Sequence, residues 1–242
     1  MYFDPTYFLF MIPAFILVSL ARWWVNSTYA KWSKVRNTAN INGAETAQRL
    51  KQSGQLHQLE INQVQGKLND HYDPRKRILN LSAGVAQSPS VAAMAIAAHE
   101  LGHAQQHYQN YGLLGLRTAL VPVVNIGSTL GVWIIIAGLM LSSLLGPDFS
   151  ETGMAISWLG LGAFSLSAGF ALVTLPIELN ASSRAKAMLT QSGLIQSSQE
   201  RQGVNAVLNA AAFTYVAALA ASLLQLLYWV FILLGRGGRR RR

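Results

Sequence analysis

The 242 residues are 51% hydrophobic and only 12% charged, with a formal net charge of +9. Soluble domains carry about 25% charged residues, so the deficit makes lipid part of the solvent, and a basic balance in so apolar a chain suits an anionic membrane surface rather than nucleic acid. Cysteine is absent, which excludes a disulfide framework and thiolate ligands and restricts any metal site to His, Asp or Glu.

Tyr7 to Val25 is almost wholly apolar, long enough for a bilayer crossing of about 20 helical residues. No basic region precedes it and no small-residue cleavage site follows. Arg22, Trp23 and Trp24 form an interfacial belt instead, so residues 1–25 read as a retained transmembrane anchor. Residues 26–117 hold ten of the nineteen basic residues and all five His, and read as a soluble module. Within it, Gly43 to Ser53 predicts a helix closed by Gly54. Leu56 to Val64 alternates apolar and polar and predicts a strand that includes a solvated His57. Residues 66–74 are rich in turn formers, and Ile78 to Leu81 predicts a second short strand. Ser88 and Pro89 look like the N-cap and first position of a helix whose Ala-rich run extends from Val91 to about Gln109. Apolar stretches follow at about 119–145, 154–176 and 206–234. The first two predict a transmembrane hairpin over 118–176, joined by a loop with Asp148 and Glu151 and no basic residue. Residues 177–205 are polar again, and 206–242 is an apolar helix with an Arg-rich tail.

The chemistry is carried by His99-Glu100-Leu101-Gly102-His103. Two His four apart on a helix project from one face, where one Zn²⁺ can accept both nitrogens at about 2.0–2.1 Å. Glu100 points to the side of that face, placed to take a proton from water rather than to bind the metal. Ala97, Ala98, Gly102 and Ala104 let another element pack close. With five His in the chain, chance expects about 0.003 such matches. The alternative is a surface helix with two incidental His and a solvated Glu.

A catalytic zinc site needs a third protein ligand and an open position. His107 continues the four-residue series, but a straight helix cannot easily wrap three His around one tetrahedral ion; otherwise it is a polar residue favoured near a helix C-terminus. Glu178 is the better candidate, because a carboxylate beside membrane segments usually has a partner and a hairpin would return it to the side of His103. The competing role for Glu178 is an ion pair with Arg184 or Lys186.

At these residues the sequence resembles the YugP-type family of neutral membrane zinc metallopeptidases. The resemblance rests on Asp70-His71-Tyr72-Asp73-Pro74-Arg75 with Leu79-Asn80-Leu81-Ser82, on Ala98 to Ala104, on Leu175 to Ser182, and on Asn209 to Ala217. It covers nearly the whole chain and is more specific than the zinc motif alone. One departure, a shortened stretch near Leu50-Lys51-Gln52, leaves the metal site untouched. The resemblance implies a gluzincin-like site in which His99, His103 and Glu178 hold the metal and Glu100 is the base. The layout is also similar to the HtpX type of membrane peptidase. The expected fold is mainly α: multi-pass membrane helices with an inserted small α+β zincin-like catalytic module. His71 and Tyr72, just before a strand, are candidate catalytic residues, since a nearby donor can stabilise an oxyanion and a strand edge can hold an extended substrate. The alternative is turn chemistry started by Asp73 and Pro74.

The expected function is therefore peptide-bond hydrolysis by a membrane zinc metalloendopeptidase acting on protein or peptide substrates. The rival is a non-enzymatic membrane protein with a structural zinc site, which usually has four protein ligands and often Cys. A transporter would call for midplane charges or broken helices, which the apolar stretches lack. Basic residues around the motif and an acidic 146–153 loop place the catalytic side in the cytoplasm of a cell membrane, although four full crossings would leave the Arg-rich tail outside.

Overall fold

The computed structural model describes residues 5–66, 69–144 and 147–238. In chain order they form α1 (Pro5–Trp32), α2 (Gly43–Ser53), β1 (Glu60–Val64), β2 (His71–Asp73), β3 (Ile78–Ser82), α3 (Ala83–Ala86), α4 (Val91–Tyr108), α5 (Gly112–Leu144), a 3₁₀ turn (Pro147–Phe149), α6 (Ser150–Gln191) and α7 (Ser198–Gly238). The protein is mainly helical, with one small sheet. Residues 239–242 of the Arg-rich tail lie outside the described residues.

Contacts divide the chain into two compact units, one of residues 1–19, 116–174 and 216–242, the other of residues 20–115 and 175–215. In the first unit α5 and α6 run antiparallel and pack at their glycines. A Cβ on Gly138 would fall 2.5 Å from the carbonyl oxygen of Gly153, so only glycine permits this approach. Ser157 Oγ donates to the carbonyl of Ile135 across the same seam. Large apolar side chains, among them Phe15, Ile126, Trp133, Leu159 and Phe231, face outward, an arrangement suited to lipid rather than water. Among the described residues, four helices are long and apolar enough to cross a membrane: Pro5–Trp32, Gly112–Leu144, Ser150–Gln191 and Ser198–Gly235.

The second unit holds the main core. α2 opens with a capping box, Asn42 and Glu45 each accepting the other's backbone N–H, and buries Ala47 and Leu50. The sheet has the order β1-β3-β2, with β1 parallel and β2 antiparallel to β3. The register pairs Tyr72 with Leu79, both buried, and His71 with Asn80. Alternation along β2 thus turns Tyr72 to the core and His71 to solvent. α4 lies in this core, its Ala-rich surface fully covered at Ala93, Ala97, Leu101 and Ala104. α7 starts at a second capping arrangement. Ser197 Oγ accepts from the Glu200 N–H, and the Glu200 carboxylate accepts from the N–H groups of Gln196, Ser197 and, across the unit, Thr38.

Several local expectations are corrected. The cap of α4 is Ser90, whose Oγ accepts from the Ala93 N–H, not Ser88. Residues 88–90 are extended because they pair with the segment around Arg36: Asn37 N–H donates to Pro89 and Val91 N–H to Val35. The first strand begins at Glu60, not Leu56, because Gln55 adopts φ +55° and residues 54–58 turn before the chain extends. His57 is accordingly an exposed turn residue. The turn-rich stretch 66–74 contains β2. α6 does not stop with the apolar stretch but runs through Pro176 to Gln191, so Glu178 is a helical residue.

Candidate metal centre

Glu178 is 1% exposed, and a carboxylate buried to that degree needs a partner for its charge. Two face it: His99 Nε2 and His103 Nε2 each stand 3.3 Å from Glu178 Oε2. One ligand atom from each of the three residues lies within 4.8 Å of the others. Among the described residues this set holds His99, His103 and Glu178 and no fourth His, Asp or Glu.

The approach of α6 to α4 is set by a missing side chain. A Cβ on Gly102, in the middle of the motif, would meet the Ala181 carbonyl oxygen at 2.4 Å. Gly102 thus lets a second helix close on the histidines.

The outer nitrogens of both rings are also engaged. His99 Nδ1 is 3.2 Å from Ser182 Oγ, and His103 Nδ1 is 3.0 Å from Gln106 Oε1. Gln106 is fully buried, and its amide donates to the Ile177 carbonyl at 2.8 Å and to Asn180 Oδ1 at 2.9 Å. One side chain therefore both holds His103 and ties α4 to the turn of α6 that carries Glu178. Anchoring of Nδ1 by a hydrogen-bond partner fixes ring orientation and presents Nε2 inward, as metal-ligating histidines require. Neither Gln106 nor Ser182 was identified from sequence. The available signal was spacing: Gln106 is three residues after His103, and Ser182 four after Glu178, each on its ligand's face.

Glu100 is not one of the three converging groups. Its Oε2 accepts the backbone N–H of Tyr72 at 3.1 Å, which ties α4 to the edge strand β2. Burial pushes the Glu100 carboxyl above its ordinary range, Glu178 and Asp70 adding to this against the opposing pull of His99 and His103. For His103, burial works against the charged ring, but the hydrogen bond to Glu178 and the charges of Glu100 and Glu178 outweigh it and raise the pKa.

The remaining candidates are placed elsewhere. The His71 ring engages the Asn69 carbonyl at 2.8 Å and the Asn80 amide at 3.1 Å on the exposed face of the sheet. The Tyr72 hydroxyl is 2.7 Å from His107 Nδ1, and burial is the main cause that pushes its pKa up to about 12. His107 thus pairs with Tyr72 and is not among the clustered ligand atoms. Arg184 bonds Asn180, Gln105 and Gln109, and Lys186 bonds Asn209.

A family model described as "Putative neutral zinc metallopeptidase" matches residues 7–234. A Bacillus subtilis (strain 168) protein named "Putative membrane protease YugP" is 41% identical over 228 residues, 94% of this chain and 96% of its own length. No solved structure matches the chain.

Proposed function

The chain belongs to the family of that description, and from this premise we propose that it is a membrane-embedded zinc metalloendopeptidase that hydrolyses peptide bonds. The observation that carries the assignment is the convergence of two imidazole nitrogens and one buried carboxylate on a single point, with Glu100 beside them and outside the set. Two nitrogens and one oxygen suit Zn²⁺ and leave a coordination position open, whereas a structural site would require four protein donors. His99, His103 and Glu178 would hold the ion.

Bound zinc supplies Lewis acidity toward a carbonyl and acidifies water. The chain supplies the rest. Glu100 is held by the Tyr72 N–H at one oxygen and accepts the proton of the attacking water at its carboxylate. It then delivers that proton to the leaving amine. Its raised pKa suits a group that must both take and give a proton. The Tyr72 and His107 pair, together with the exposed His71, lies along the edge strand, where an extended peptide could be positioned.

Residues 26–117 form the zincin-like module with the histidine motif, 177–205 bring the third ligand, and 1–25, 118–176 and 206–242 hold the chain in the cell membrane, with the catalytic side cytoplasmic. The four long apolar helices and the basic balance of the module support this arrangement. Protein purified in detergent is expected to carry about one zinc per chain, in line with a single site of this ligand set, and to cleave a casein-type substrate. His99→Ala is expected to lose both. A folded, zinc-free wild type that cleaves at the same rate after chelation would overturn the assignment.

A further inference from the structure

We propose that a polar cavity at the C-terminal end of α4 binds the phosphate group of a small phosphorylated molecule. The inference goes beyond the peptidase reading and stands without it. The cavity has a volume of about 400 Å³ and lies wholly among residues of the second unit. Three segments build it: the turn before β1 with Gln55, His57 and Gln58, the turn between β2 and β3 with Arg77, and the end of α4 with His107, Tyr108 and, just beyond it, Asn110. The chain is 51% hydrophobic, yet the described residues of this wall include no aliphatic side chain and no acid, and every one carries a side-chain hydrogen-bond donor.

Such a wall suits an oxyanion with several acceptor oxygens. Arg77 brings a permanent positive charge and a fork of donors that matches phosphate. Its Nη1 donates to Gln58 Oε1, and its guanidinium lies 5.9 Å from the centre of the Tyr108 ring, so two contacts hold the cation at the wall. His107 engages the Tyr72 hydroxyl through Nδ1, which leaves Nε2 for another partner. The Tyr108 hydroxyl is buried without a hydrogen-bond partner; a buried polar atom calls for one, and a phosphate oxygen supplies it. The end of a helix repels anions through its open carbonyls, but those of Gln105, Gln106 and His107 already accept the N–H groups of Gln109, Tyr111 and Asn110. The backbone points the same way. Four non-glycine residues among those described have positive φ, and three of them, Gln55 at 55°, Arg77 at 57° and Asn110 at 52°, line this cavity. L side chains adopt that conformation uncommonly, and residues held in it cluster at ligand sites. The volume falls in the range of small-molecule sites, and the polar wall makes the rest of the ligand polar too.

The test titrates full-length protein in detergent with sodium pyrophosphate by calorimetry at fixed ionic strength. Saturable binding to a single site is expected. Arg77→Gly removes the guanidinium and suits the positive φ of that position; it should weaken binding roughly 10–100-fold, the loss that follows removal of a hydrogen bond to a charged group. His57→Ala, at an exposed turn position, should weaken it about 2–10-fold, as for a neutral hydrogen bond, and keeps the test open if Arg77→Gly does not fold. Arg75→Gln removes a positive charge from the same turn as Arg77 but outside the wall and should bind like wild type. Dioctanoyl phosphatidic acid and dioctanoyl phosphatidylcholine then compete with pyrophosphate. Displacement by the first alone assigns the phosphate to a lipid headgroup, and displacement by neither assigns it to a soluble molecule. Displacement by both, no pyrophosphate binding, binding unchanged in Arg77→Gly and His57→Ala, or equal weakening by Arg77→Gly and Arg75→Gln overturns the site. Zinc content should match wild type in every variant, so loss of this site leaves the metal assignment standing.

Discussion

A methyl group on Gly102 would stand 2.4 Å from the carbonyl oxygen of Ala181, so the glycine inside the histidine motif is the contact point of two helices. Gly102→Ala must push α6 away from α4. It is expected to cost about 1–3 kcal/mol, as overpacked cores do, and to weaken zinc binding although no ligand is altered. Thermal unfolding in detergent and zinc content after gel filtration measure the two effects. A variant as stable and zinc-loaded as wild type would show that the backbones can part freely.

Glu100→Gln should keep zinc and fold, because the amide can still accept the Tyr72 N–H. Turnover should fall by roughly 10²–10⁴-fold, the usual contribution of a positioned acid–base group. Casein cleavage per zinc atom is the measurement, and a wild-type rate would remove Glu100 from the chemistry.

The ligand assignment separates Glu178 from His107. Glu178→Ala should lose zinc during purification and His107→Ala should retain it, since the His107 ring pairs with Tyr72. Gln106→Ala and Ser182→Ala should each weaken zinc binding by about 10–100-fold, the usual consequence of losing a hydrogen bond to a ligating histidine. Competition with a chromogenic chelator gives the affinities. Zinc retained by Glu178→Ala and lost by His107→Ala would require another coordination set.

The Tyr72 phenol makes an alkaline prediction. Its pKa in the folded protein is raised from 10.0 to about 12, first by burial. Between those values the folded state holds a proton that the unfolded state releases, so this contribution is complete below pH 10 and is lost as pH rises through about 12. Tyr72→Phe should therefore show a shallower fall in Tm over that interval than wild type. Parallel curves would mean that Tyr72 titrates alike in both states.

Orientation can be read by labelling, because the chain has no cysteine of its own. A cysteine at the exposed position Glu151 should react with an impermeant thiol reagent on intact cells, and one at exposed Ser53 should not. The reverse pattern would place the catalytic side outside.

That His99 and His103 share one face could be read from spacing alone, because a helix of fixed pitch turns a four-residue interval into a shared face. Glu178 was visible through its chemistry, as a carboxylate beside apolar sequence. Gln106 and Ser182 were not, because an amide or a hydroxyl in a helix looks the same in sequence whether it faces water or a histidine. β2 escaped for a related reason: three residues with one apolar side chain, Tyr72, carry no alternation to detect, and its pairing comes from β3. The start of α4 was misjudged by two residues because the segment around Arg36 pairs with Ser90 and holds it extended, an effect of residues more than fifty positions away.

His99 and Glu178 are 79 positions apart, and α5 and more than half of α6 are made between them. A ribosome therefore releases both histidines long before it reaches the carboxylate that meets them. Until then the growing chain carries an unfinished donor set, and any product cut short ahead of Glu178 stays that way. The order of synthesis delays assembly of the three-residue set until α5 and the first part of α6 have been translated.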